Sequence, residues 1–194
     1  IETIIVNKIG KNCATLYWKN KIDPCHSVVF IKDTCLGTPI IHQDSTYSYS
    51  SEFGLGSVSN GWYCIYFGND TSSSITGLSE GKTYRIAIFN FVLDSMYIEP
   101  SFLNFSTEKI FFEDTLKAYG DEPFLLQPST VSGINNFVFS IDNETVANIE
   151  NDSLKLLNAG TINIKIQHYG NEIYLPDTTE YTILVNKALL SIIS

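Results

Sequence analysis

The chain has 194 residues, 44% of them hydrophobic, and a net charge of −9 at pH 7; that length suits one large domain or two of about a hundred residues. With 12 Lys and Arg against 21 Asp and Glu, no basic stripe is available to neutralise phosphates, which excludes nucleic-acid binding and adhesion to an anionic membrane surface. The 11 Tyr, 12 Phe and 2 Trp, together with abundant Ile, Val and Thr, favour strands over helices.

Short strand-like runs recur about every ten residues with turn chemistry between them, the spacing of an all-β sandwich or barrel. In the first half the predicted strands are 3–8, 14–18, 26–32, 47–50, 62–67, 73–77, 84–92 and 101–107. Turns are expected at 20–24, 36–39, 54–56, 60–61, 68–70 and 80–81. Alternation over 14–18 puts Ala14, Leu16 and Trp18 on one face, where a Trp is large enough to fill the space between two sheets. Leu78-Ser79-Glu80-Gly81-Lys82-Thr83-Tyr84 has the form of a tyrosine corner, whose hydroxyl bonds back to upstream backbone. On Trp18, this corner and the strand count, residues 1–108 resemble a fibronectin type III domain. The similarity is to the divergent form of bacterial surface proteins, in which a Phe-Gly-x-Gly segment (here Phe53-Gly54-Leu55-Gly56) precedes an aromatic strand. Several cysteines and a long segment between Cys35 and Trp62 depart from that pattern.

The second half opens on Thr115-Leu116-Lys117-Ala118-Tyr119-Gly120-Asp121 and closes on Val185-Asn186-Lys187-Ala188. Predicted strands are 111–112, 124–127, 138–141, 147–149, 153–156, 160–167 and 180–186, with a turn at Asn151-Asp152. Val146-Ala147-Asn148-Ile149, then Ala159-Gly160-Thr161 and the alternating Ile162, Ile164 and Ile166, resemble the bacterial immunoglobulin-like repeats of the Big_2 group, as do Tyr119-Gly120-Asp121 and Tyr174-Leu175-Pro176. The expected organisation is therefore two tandem immunoglobulin-like β-sandwiches, 1–108 and 109–187, followed at 188–194 by the start of a further repeat. Thr107-Glu108-Lys109 contains no Gly or Pro, so the connection between the two is expected to be stiff. The resemblance implies a bacterial, extracellular or cell-surface protein. Ile1 in place of an initiator Met fits a mature or trimmed fragment, no signal peptide is visible, and no apolar run reaches membrane-spanning length, so no direct membrane insertion is expected.

Cys13, Cys25, Cys35 and Cys64 all lie in the first half. An even count in one small secreted-type domain favours disulfides, but four cysteines allow three pairings. Cys25 and Cys35 flank one strand, about 33 Å apart if extended, so they pair only if that strand bends. A bridge from Cys64 to one end of the 26–32 strand is easier, and free buried thiols are the alternative. A zinc set of Cys25, His26, Cys35 and His42 lacks metal-ligand spacing. The loop acids Asp121, Glu122 and Asp177 lack the order of a calcium loop. No cofactor is expected.

Catalytic constellations fail one by one. The three histidines, His26, His42 and His168, stand in no nucleophile frame. Ser57-Val58-Ser59 reads as a hairpin loop and Gly54-Leu55-Gly56 as a lone G-x-G. The expectation is a non-enzymatic spacer, presentation or adhesion segment, whose partners are an unknown protein or glycan and further repeats of the same chain. A second reading is a glycan- or protein-binding module using the aromatics of residues 47–67, above all Trp62, Tyr47, Tyr49 and Tyr63; core packing is the competing explanation for those rings. A third is an accessory region of a secreted hydrolase. Asn69, Asn104, Asn143 and Asn151 begin glycosylation acceptor triplets, which a bacterial source would leave unmodified.

Overall fold

The computed structural model describes residues 3–20, 26–42, 47–91, 99–113 and 117–187. The predicted turn at 21–24, Cys25, Thr115-Leu116 and the predicted new strand at 188–194 lie outside them. Two compact units are present: Ile1–Lys109 with Asn171–Leu175, and Ile110–Gly170 with Pro176–Ser194. Every regular element among the described residues is a β-strand, and the chain is all-β, built as immunoglobulin-like sandwiches.

In the first unit the strands are β1 (Thr3–Asn7), β2 (Ala14–Lys19), β3 (His26–Lys32), β4 (Val58–Ser59), β5 (Trp62–Gly68), β6 (Ser72–Ile75), β7 (Thr83–Phe91) and β8 (Ser101–Ser106). They form a three-stranded sheet, β1-β2-β6, and a five-stranded sheet, β4-β5-β3-β7-β8. All pairings are antiparallel. Val6, Leu16, Trp18 and Ile75 from the first sheet meet Val29, Ile31, Ile65, Ile86, Ile88 and Phe105 from the second. Inside this core the indole Nε1 of Trp18 donates to Ser27 Oγ at 3.0 Å, and Ser27 Oγ donates to Asn90 Oδ1 at 3.0 Å. The side chains of Trp18, Ser27 and Asn90 thus satisfy one another, as burial demands. The tyrosine corner forms as expected: Tyr84 Oη accepts from Ser79 N at 2.8 Å. Residues Asn171–Leu175 join this unit through Ile9, whose N donates to Ile173 O and whose O accepts from Leu175 N, both at 2.9 Å.

The other face of the five-stranded sheet is also buried. Val28, Phe30, Trp62, Cys64, Ala87 and Phe89 form a second core there with Tyr47. The alternation along β3 sends Val28 and Phe30 outward and Val29 and Ile31 inward, so five consecutive residues are buried. Such a continuous apolar run is what a strand covered on both faces shows. In β5 a register shift opposite Val29 and Phe30 inserts an extra residue; Ile65 and Tyr66 then both serve the inner core while Phe67 packs on the outer one. The cover over the outer face comes from the long segment between Cys35 and Trp62.

That segment is where prediction and structure differ most. Residues 47–50 form no strand. Instead the chain crosses from one sheet edge to the other: Ser50 N donates to Cys64 O on β5, and Phe53 N donates to Thr76 O just beyond β6. Phe53 then packs its ring against Tyr63 and Tyr84, at 5.0 and 5.3 Å. Gly56 lies flat on β5, where a Cβ would stand 1.9 Å from Cys64 O. The Phe-Gly-x-Gly segment is thus a core plug followed by a point of backbone contact.

The second unit contains β9 (Ile110–Phe111), β10 (Lys117–Ala118), β11 (Phe124–Leu125), β12 (Ser129–Thr130), β13 (Val138–Ile141), β14 (Ala147–Glu150), β15 (Ser153–Leu156), β16 (Gly160–His168) and β17 (Asp177–Asn186). Its sheets are β10-β17-β16-β13, β11-β15-β14 and the pair β12-β9. Ala147, Leu154 and Leu156 pack with Ile162, Ile164, Ile166, Ile183 and Val185. The opening and closing phrases of the second half are strand partners: β10 runs parallel to β17, pairing Lys117 with Val185 and Ala118 with Asn186. Val146 and Gly160 are likewise joined, since a Cβ at Gly160 would meet Val146 Cγ2 at 2.7 Å. The two-residue strands β4, β10 and β12 were not predicted; each is too short to show a period.

Candidate functional site

Of the four aromatics singled out in residues 47–67, three are turned inward. Trp62 is 1% exposed and Tyr47 8% exposed, both in the second core. Tyr63 is half-buried against Phe53. The reading of Trp62, Tyr47 and Tyr63 as binding-surface aromatics is therefore corrected, and the competing explanation, core packing, holds for these three. Asn60-Gly61 does make the turn between β4 and β5, but the first residue after it points under the covering segment. Tyr47 and Tyr49 do not share a face, because 47–50 lacks strand geometry. Tyr47 donates its ring to the second core, edge-on to Phe30 at 5.2 Å, and its Oη accepts from His42 N at 3.0 Å.

Tyr49 remains, 55% exposed. Its ring rests 5.8 Å from that of Tyr66, which meets Trp18 edge-on at 5.2 Å. Tyr66 Oη accepts from Asp70 N, and burial pushes its phenol pKa upward. A row of three rings thus runs from surface to core and gives Tyr49 a fixed backing. Such a ring offers a flat apolar face for stacking on a sugar or an apolar side chain.

Cys13, Cys35 and Cys64 are free thiols, half-buried, exposed and buried respectively. The expected bridge from Cys64 is thereby corrected: Cys64 faces the second core, and its Sγ contacts Tyr66 O at 3.5 Å. Burial pushes its pKa up to about 12. Cys35 sits in the loop after β3, where its carbonyl, rather than its sulfur, is engaged by Arg85 and Asn104.

Among the described residues no three His, Cys, Asp or Glu side chains are grouped to hold a metal ion. His26 stacks on Phe91 at 5.1 Å, His42 is exposed, and His168 is buried with Nδ1 accepting from Gly170 N at 3.1 Å. Of the loop acids, Asp121 closes its own turn, its Oδ2 accepting from Ala118 N, whereas Asp177 is a buried first residue of β17 whose Oδ1 accepts from Thr178 N. The concavities described are two shallow grooves in the second unit, of about 350 and 250 Å³. They share Phe112, Glu113 and Gln127; the first adds Phe111, Ser129 and Tyr181, and the second adds Lys117, Phe124 and Leu125.

The structure is similar to the solution structure of a fibronectin type III domain derived from human KIAA0970 protein. The match has 14% sequence identity and a TM-score of 0.35, and covers 54% of this chain and 69% of that one. No family model matches the chain, and no curated protein matches it.

Proposed function

We propose that the chain is a non-catalytic part of a larger extracellular or cell-surface protein, serving as a spacer or presentation module. The single observation behind this reading is the fate of the chemistry-bearing side chains. Trp62, Tyr47 and Cys64 are absorbed into cores, Asp121 closes its own turn, and Asp177 is buried at the start of β17. The outer face of β16 and β17 carries Thr161, Asn163, Lys165, Glu180 and Thr182 in water, a solvated surface rather than a cleft. The repeat-like phrases of the second half support placement in a bacterial surface protein, and the paired opening and closing phrases fit a unit that recurs. The full-length gene tests this directly: flanking sandwich repeats and an export signal support the reading, whereas a catalytic domain with this region as its accessory removes it.

The exposure of Tyr49 favours a second reading, an adhesive module that grips a glycan or protein through that ring. A glycan array probed with the wild type and Tyr49→Ala separates the two. Binding lost in Tyr49→Ala supports adhesion, and no binding by either leaves the spacer reading.

A further inference from the structure

We propose that residues 35–42 form a strap that opens as a local unit in the native state, with Arg85 as its clasp. Opening uncovers the apolar outer face of the five-stranded sheet around Trp62 and Cys64. Of these eight residues only Pro39 is buried and only Ile41 half-buried, while Leu36 is 73% and Ile40 55% exposed. Gly37 passes over the indole, where a Cβ would be 3.8 Å from Trp62 Cζ2. Among the described residues, the bonds tying the strap down come from side chains and not from a backbone ladder. Arg85 Nε donates to Gly37 O at 3.1 Å and Nη1 to Cys35 O at 3.2 Å; Asn104 Nδ2 donates to Cys35 O at 3.1 Å. Ser59 Oγ donates to Ile40 O, and Tyr47 Oη accepts from His42 N.

Arg85 is itself held in place. Its guanidinium lies 4.0 Å over the Phe102 ring and donates to Asn104 Oδ1 at 3.1 Å. One side chain therefore gathers three of the acceptors that fix the strap and its neighbours. Below it the sheet needs no strap to persist, because β3 is laddered to β5 and β7 along its length. Segments with few buried apolar contacts and solvent-exposed hydrogen bonds open at free energies below that of global unfolding. Strap opening is then a conformational device: it presents an aromatic, thiol-bearing face that the closed state conceals.

The test uses the full chain with Cys64 as its only thiol, carrying Cys13→Ser, Cys25→Ser and Cys35→Ser, labelled with a thiol reagent at about pH 8, where an exposed thiol reacts. The expected result is labelling of folded protein at a rate independent of urea below the unfolding transition, since local opening exposes little surface. Arg85→Met is expected to raise that rate about tenfold or more, through the loss of its hydrogen bonds, and to raise thermolysin cleavage within 35–42 by a similar factor. Labelling that carries the full urea dependence of global unfolding in both proteins overturns the proposal. So does fast labelling that Arg85→Met leaves unchanged. Should Arg85→Met fail to fold, Ser59→Ala, which loosens the strap near its other end, is expected to accelerate labelling by a smaller factor, and no acceleration again overturns it.

Discussion

Cys64 shows how a single position can reverse its reading. In the sequence it is one of four cysteines and a reasonable disulfide partner; in the fold it is fully buried in the outer core with Trp62, Phe30 and Tyr47. Native protein carrying Cys25→Ser is expected to modify Cys35 first, Cys13 more slowly and Cys64 last, read by mass spectrometry of the labelled peptides. The raised pKa sets a pH dependence as well. Burial pushes the folded thiol up to about 12 from the ordinary 9.0 of a cysteine, so its contribution is present below pH 9 and is lost as pH rises toward 12. Between pH 9 and 10 the wild type should lose about 1 kcal/mol more stability than Cys64→Ala, measured by urea unfolding; parallel pH profiles would contradict this. Tyr84 was legible from sequence because its corner is local: five residues separate it from Ser79, whose N it accepts. Tyr84→Phe leaves that N–H without its partner and is expected to cost about 1–2 kcal/mol in the same measurement.

At the scale of elements, strands with a strict period of two were read almost to their ends. β16 alternates buried Ile162, Ile164 and Ile166 with exposed Thr161, Asn163 and Lys165; β3 and β13 were placed with their observed bounds, because turn residues flank them. Residues 47–57 defeated the reading for a physical reason. Their backbone bonds go to two different sheets, so no single face imposes a period on their side chains. The hairpin between β14 and β15 offers an element-level test. Its two turn residues, Asn151 and Asp152, adopt φ of 50° and 60°, the left-handed pair of a tight hairpin, and left-handed backbone penalises any residue with a Cβ by about 1–2 kcal/mol. Asp152→Gly should therefore stabilise the second unit by about 1 kcal/mol, read as a higher urea midpoint. An unchanged or lower midpoint would show that the aspartate side chain compensates for the strain.

For the whole molecule, the cores are the organising fact. The first unit has two, one on each face of its larger sheet, and the second has one. Ile164 is fully buried at the centre of the second unit, and Ile164→Ala is expected to cost about 2–5 kcal/mol, seen as lost hydrogen-exchange protection of β16 and β17 amides. Charge is uneven too: the second unit holds ten Asp and Glu against four Lys. Self-repulsion of that kind weakens with added salt, so moderate salt should raise the second unit's melting temperature; a fall would point to attractive pairs there instead.

The sequence by itself determined the fold class, most strands and the tyrosine corner, because each depends on neighbours within a few residues. It also set the net charge of −9, which needs no coordinates. Only the tertiary structure decided which aromatics face water. Trp62, Tyr47, Tyr49 and Tyr63 look alike along the chain; in the fold Trp62 and Tyr47 meet in the outer core, Tyr63 packs on the inner one against Phe53, and Tyr49 faces water. Burial on the second face of a sheet is a long-range property: it exists only once loop and sheet have met.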